Sequence, residues 1–207
     1  MIGWWHRRGA DVKAERWVVV DVETTGLHTD AELLAIGAVA LLKGRITPND
    51  SLELVLTTTK RASHDNIVVH GIGVAQERAG DEPRAALLRF IDFVGSAPIV
   101  AFHAPFDRGF IRRAVRAQLK RSFPNPWLDL AELAPVVDPE CVSAQSLDEW
   151  LTRYGIDVSP RHNAAADAFA TAMLAQHLIS RSHRQDAIGF RELQRLARSA
   201  HWLTRRR

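Results

Sequence analysis

The sequence predicts an α/β domain built on a mixed sheet, and three observations lead there. A β-branched run, RWVVVD from Arg16 to Asp21, ends on an acid and reads as a buried central strand. Two further apolar runs follow it as a meander. Beyond them, short strand-like runs alternate with segments of helical period, the pattern of strands joined by crossover helices.

Each element has its own local reason. After Asp21 the segment ETTGLH brings Gly26, a turn former. Glu32 to Leu42 and Ile46 to Thr57 are joined by Lys43-Gly44-Arg45 and predict a hairpin. Pro83 to Val94 places Ala86, Leu87, Phe90, Ile91 and Val94 at helical spacing. Pro98 to Phe102 reads as a short strand, and Pro105 then sits at the start of a helix, where its missing N–H costs nothing. After the Phe123-Pro124-Asn125-Pro126 break, Trp127 to Asp129 reads as a last short strand. Helical patterns cover Asp129 to Val136, Ser146 to Tyr154 and Asn163 to Ile179. Near the C-terminus, Leu193, Leu196, Ala197, Ala200 and Leu203 fall opposite Arg191, Arg195, Arg198 and Arg205 on a helical wheel, which predicts an amphipathic basic helix.

The composition bounds what such a domain can be. At 207 residues, 46% hydrophobic and 25% charged, the chain is an ordinary globular one and excludes disordered, collagenous and coiled-coil classes. The apolar stretch Leu33 to Leu42 is half the roughly 20 residues of a membrane span, so no membrane association is expected. The N-terminal MIGWWHRRGADVKAERW lacks the apolar core of a secretory leader, and the single Cys141 rules out an internal disulfide and a multi-thiolate zinc site. A reducing cytoplasm is the expected setting.

The net charge of +3 says little, but its distribution says more. Arg108 to Arg121 carries six basic residues (Arg108, Arg112, Arg113, Arg116, Lys120, Arg121) and no acid. Arg181 to Arg207 carries eight arginines against Asp186 and Glu192, so the remainder of the chain is net acidic. Two basic blocks beside an acidic body suit polyanion binding in one place and cation binding in another.

The acids that bear chemistry lie at element ends. Asp21 and Glu23 are alternate residues at the C-terminal end of a strand, so both carboxylates project to one side, where open α/β sheets bind ligands. Two carboxylates side by side repel unless a cation neutralises them. Asp107, in IVAFHAPFDRGFI, falls in the first turn of a helix, whose dipole favours an ionised carboxylate. In RHNAAAD, Asn163 is a suitable helix N-cap, which leaves His162 in the preceding loop and Asp167 in the second turn. Ala164, Ala165 and Ala166 let that helix lie close to the sheet, bringing Asp167 towards Asp21 and Glu23.

In that order, DVETTGL, FHAPFD and HNAAADAFAT resemble the three exonuclease motifs of the DnaQ-like 3′-5′ exonucleases of the DEDDh group, over about Trp17 to Ser180. His70-Gly71-Ile72 and Ser146-Leu147-Asp148-Glu149 match further pieces of the family pattern. The second motif departs from it: Phe102-His103 stands where the family has His-Asn, while Asp107 is kept. The resemblance implies a ribonuclease H-like fold with a mixed, mostly five-stranded sheet flanked by helices. It divides the chain into an extension (1–16), an exonuclease domain (17–180) and a basic amphipathic C-terminal helix (181–207).

Carried over residue by residue, the family implies that Asp21, Glu23 and Asp167 hold one Mg²⁺ or Mn²⁺, and that Asp21 and Asp107 hold a second. Hard divalent cations suit an all-carboxylate set. His162 would be the general base for the attacking water. Thr24, Thr25, Leu27, His70 and Phe106 would contact the terminal nucleotides, Leu27 and Phe106 by wedging or stacking. The expected activity is release of nucleoside 5′-monophosphates from nucleic acid 3′ ends, with single-stranded DNA the first candidate. A DNA polymerase or other replication or repair protein is a candidate partner. An exoribonuclease or oligonucleotide-degrading enzyme of the same family is the alternative within the class. A non-catalytic nucleic-acid or polymerase-binding module is the alternative outside it.

Overall fold

The computed structural model describes residues 16–28, 30–60, 72–141, 144, 146–159, 163–182 and 189–204. Among them, five strands form one sheet in the order β3-β2-β1-β4-β5. These are β1 (Arg16–Thr24), β2 (Leu33–Leu42), β3 (Arg45–Val55), β4 (Ile99–Ala101) and β5 (Trp127–Asp129). The first three form an antiparallel meander, and β4 and β5 run parallel to β1. This is the mixed five-stranded sheet flanked by helices that the sequence reading expects. The β2–β3 hairpin turns through Lys43 and Gly44, both at positive φ (54° and 73°), the backbone that matches the twist of its strands.

The helices are α1 (Val74–Arg78), α2 (Pro83–Val94), α3 (Ala104–Leu119), α4 (Leu130–Val137), α5 (Leu147–Arg153), α6 (Ala164–Ser182) and α7 (Phe190–Thr204). Alternation along β1 divides the interior into two layers. Val18, Val20 and Val22 face α2 and α3, where Leu87, Phe90, Ile111 and Val115 close the first core. Trp17 and Val19 face α4, α6 and α7. Because Asp21 and Glu23 continue the Trp17-Val19 alternation, they emerge on the α6 side of the sheet.

Local chemistry sets the helix ends. Pro83 opens α2 after a Glu82 cap that accepts from Arg84 and Ala85. Ser146 and Glu149 form a reciprocal capping box on α5. Asn163 caps α6 by accepting from the N–H groups of Ala165 (3.0 Å) and Ala166 (3.1 Å), as its position in the sequence predicts. The basic C-terminal helix is docked: Phe190, Leu193 and Ala197 are buried, Phe190 meets Trp17 edge-on at 5.2 Å, and Arg191, Arg195 and Arg198 stay exposed. None of the described helices is long and apolar enough to cross a membrane.

Candidate active site

The site lies where β1 outruns its parallel neighbour. Pairing of β1 with β4 covers Val18 and Val19 only, so beyond that point the edge of β1 is open to the segment that succeeds β4 in the chain. That segment is the start of α3. Asp107, in its first turn and 4% exposed, accepts a hydrogen bond from the backbone N–H of Val22, between the two β1 acids.

From the other side comes α6. In the antiparallel register Asp21 lies opposite Gly37, and Gly37 opposite Glu53, a row across three strands. The first turn of α6 lies over the middle of that row. A Cβ on Gly37 would stand 1.9 Å from the carbonyl oxygen of Ala164, so only glycine admits this approach. Asn163 reaches Glu53 at one end of the row (3.3 Å), and Asp167 meets the β1 acids at the other. One carboxylate oxygen each from Asp21, Glu23 and Asp167 lies within 4.8 Å of the others.

Crowding acids in a shielded place opposes their ionisation. Burial first, and then the Asp167 charge, push the Glu23 carboxyl up to about 7. Asp107 is pushed well above the usual carboxylate range, chiefly by burial and further by the charges of Asp129 and Glu23. The expectation that a helix start favours an ionised Asp107 is therefore outweighed here: a helix dipole supplies about 0.3–1 kcal/mol, less than full burial removes. A divalent cation among these oxygens would reverse that balance, and the all-oxygen donor set fits Mg²⁺ or Mn²⁺.

The remaining predicted residues fall into three groups. Leu27 (86% exposed) and Phe106 (38% exposed) are large apolar side chains left in solvent beside the acids' elements, Phe106 resting on Phe110 with centroids 4.8 Å apart. Thr24 and Thr25 are buried, and their hydroxyls serve the β1–β2 connection: Thr24 donates to the Gly26 carbonyl (2.9 Å), and Thr25 accepts from the Glu32 N–H (2.9 Å). His70 and His162 lie outside the described residues.

Two residues outside the motifs help to build the site. Gly37 is the lone glycine inside an apolar strand, a pattern that marks close backbone approach. Asp129 repeats at the end of β5 the strand-then-acid pattern of β1. Its Oδ1 accepts from the backbone N–H of His103 (3.0 Å) and of Ala131 (2.9 Å).

Comparison with known proteins gives concordant results. A family model described as exonuclease matches residues 18–175. A DNA polymerase III subunit epsilon-like protein of Rhodobacter capsulatus is 33% identical over 160 residues, which are 75% of this chain and 22% of that protein. The DNA polymerase III subunit epsilon of Pasteurella multocida is 30% identical over 166 residues, 74% of this chain and 64% of its own length. The chain thus spans about a fifth of the first relative and under two thirds of the second. Among solved structures, exonuclease X in complex with 5′ overhanging duplex DNA superposes with a TM-score of 0.68 at 20% identity, covering 87% of this chain and 99% of that one. Escherichia coli exonuclease I in complex with a dT13 oligonucleotide gives 0.70 at 19% identity, covering 83% and 42%.

Proposed function

Because this chain belongs to the exonuclease family whose model spans residues 18–175, we propose that it is a metal-dependent 3′-5′ exonuclease of the DEDDh type acting on single-stranded DNA. The observation that carries the reading is the convergence of Asp21, Glu23 and Asp167 within 4.8 Å, with Asp107 hydrogen-bonded to the backbone between the first two. Burial and the Asp167 charge together raise the Glu23 carboxyl, a cost that a divalent cation among these oxygens offsets.

Asp21, Glu23 and Asp167 would hold one Mg²⁺ or Mn²⁺, and Asp21 with Asp107 a second. When bound, such ions activate water and neutralise charge on the phosphate and the leaving oxygen. His162 takes the proton from the attacking water as its oxygen bonds to phosphorus. The bond from phosphorus to the 3′ oxygen of the penultimate nucleotide breaks, that oxygen gains a proton, and a nucleoside 5′-monophosphate leaves. Leu27 and Phe106 supply apolar surface for the terminal bases, which suits any base sequence. The backbone of Thr24 and Thr25 lines the same end of β1, and His70 is assigned to the substrate by its motif alone.

The outer side of α3 supplies the counter-charge. Arg112 and Arg116 are exposed one turn apart on α3, with exposed Lys120 just past its end, and among the described residues none of the three is ion-paired to a carboxylate. The exonuclease unit is assigned to 17–180, between the extension 1–16 and the segment 181–207. The similarity to DNA polymerase III epsilon subunits makes a DNA polymerase the partner to test first, and a cytoplasmic setting suits a chain with one thiol. The test is digestion of matched end-labelled DNA and RNA, single-stranded and duplex, with Mg²⁺, Mn²⁺ or EDTA. Metal-dependent shortening of single-stranded DNA from its 3′ end is expected; degradation that persists in EDTA overturns the metal mechanism, and preference for RNA overturns the substrate assignment.

A further inference from the structure

His103 is the residue from which α3 departs, and it sits in the left-handed region (φ 58°, ψ 47°). A non-glycine residue adopts that conformation at a cost and keeps it only where its surroundings impose it. The His103 side chain makes no cap hydrogen bond to this helix. The hold comes from another strand. Ala101, the last residue of β4, is paired in register with Asp129, the last residue of β5. From there the Asp129 carboxylate reaches across to the His103 N–H at 3.0 Å, while the same oxygen caps α4 through the Ala131 N–H at 2.9 Å. The Ala104 N–H adds a further contact. One carboxylate thus ties the start of α4 to the start of α3, four residues before Asp107.

We propose that Asp129 is a positioning residue whose carboxylate holds His103 in the left-handed conformation and thereby sets where Asp107 meets β1. The proposal rests on the exonuclease reading for the role of Asp107, but not for the geometry. Asp129 acts as a hydrogen-bond acceptor and has no part in proton transfer. Its loss would let the β4–α3 connection relax towards ordinary backbone conformations, and Asp107, with its bond to the Val22 N–H, would move with the helix.

The test uses the full chain as wild type, D129A, D129N, H103G and D129A/H103G. Two readouts are taken: Mn²⁺ binding followed by electron paramagnetic resonance, and the Mn²⁺ dependence of hydrolysis of thymidine 5′-monophosphate p-nitrophenyl ester. D129A weakens Mn²⁺ binding and raises the half-saturating Mn²⁺ concentration by about 10–100-fold, the usual effect of losing a group that orients a metal ligand. D129N keeps the Oδ1 acceptor and stays within about threefold of wild type, given that a neutral acceptor still satisfies both N–H groups. Glycine at 103 adopts the left-handed conformation without the Cβ penalty, so D129A/H103G recovers at least about fivefold relative to D129A.

Wild-type Mn²⁺ affinity in D129A overturns the proposal. So does a D129N defect as large as that of D129A, which would assign the effect to charge, or a double variant no better than D129A. If D129A is too unstable to purify, a soluble D129A/H103G with restored Mn²⁺ binding supports the proposal and one without it overturns it. Wild-type protein that binds Mn²⁺ without hydrolysing the ester would count against the exonuclease reading, and the binding comparison would still decide the role of Asp129.

Discussion

Replacing Gly37 by alanine is the most informative single perturbation of the site, because one methyl group separates the sheet from the helix that carries Asp167. The new Cβ would lie 1.9 Å from the Ala164 oxygen, 2.1 Å from its carbonyl carbon and 2.4 Å from the Ala165 nitrogen. These are backbone atoms of a hydrogen-bonded first turn and cannot rotate aside. Restoring ordinary contact at about 3.4 Å requires α6 to retreat from β2 by roughly 1.5 Å, an overpacking strain of about 1–3 kcal/mol. Asp167 lies three residues beyond Ala164 and moves with it, away from Asp21 and Glu23. A misplacement of about 1 Å costs around 100-fold in rate, so G37A should lose at least about 100-fold in kcat/KM on the p-nitrophenyl ester. Its melting temperature should fall by only a few degrees. The control is Gly109, on the exposed side of α3, where a Cβ meets nothing within 4 Å. There alanine should leave kcat/KM unchanged and stabilise by about 0.5–1 kcal/mol. A G37A protein with wild-type rate and melting temperature would refute the idea that this contact places Asp167.

Four other outcomes are expected from the same structure. Asp21→Ala and Asp167→Ala should abolish hydrolysis with far-ultraviolet circular dichroism unchanged, and His162→Ala should cost about 10²–10⁴-fold, the usual worth of a general base, measured in kcat at pH 8. The raised Glu23 carboxyl holds its proton in the folded chain at pH values where the unfolded chain has lost it, so the metal-free protein should lose up to about 2–3 kcal/mol of stability as pH rises from about 4.5 to about 7. Denaturant melts should show that loss in the wild type; Mn²⁺ at pH 8 should remove it, and the substitution Glu23→Gln should reduce it but leave the part due to the raised Asp107. Arg112→Gln/Arg116→Gln should lower the slope of log affinity for single-stranded DNA against log salt by about 1.4 while sparing the p-nitrophenyl ester, as checked by binding titrations from about 50 to about 200 mM salt. Leu193→Ala, which empties a buried site where α7 meets the second core, should cost about 2–4 kcal/mol, so removing residues 181–207 should lower the melting temperature as well as any affinity.

Much of this architecture is legible in the sequence because hydrophobic pattern and turn chemistry agree. The hairpin at Lys43-Gly44, α2 from Pro83 to Val94, the three-residue β5 and the Asn163 cap are all encoded by residues within a few positions of the feature itself. Boundaries drift where the encoding is not local. The strand β1 continues past Asp21 to Thr24 because β2 pairs with it over that length, and α6 runs on to Ser182 because Leu178 and Ile179 find a core to fill. The five-residue α1 is too short to show a period. At the site, the acids can be read from the order of their motifs, but the reasons they converge cannot. Gly37 matters only because α6 crosses it, and Asp129 only because β5 lies beside β4. The protonation of Asp107 depends on burial, which a linear sequence does not display.

The proposed function makes four carboxylates from β1, α3 and α6 one metal-dependent centre that removes nucleotides from 3′ ends. It is tested most directly by following a 5′-labelled single-stranded oligodeoxynucleotide, with Mn²⁺, in the presence of wild-type protein and of Asp167→Asn. The wild type should give a ladder that shortens one nucleotide at a time from the 3′ end, and the variant a full-length band. A ladder of equal rate from Asp167→Asn, or internal cuts in place of stepwise shortening, would contradict the claim.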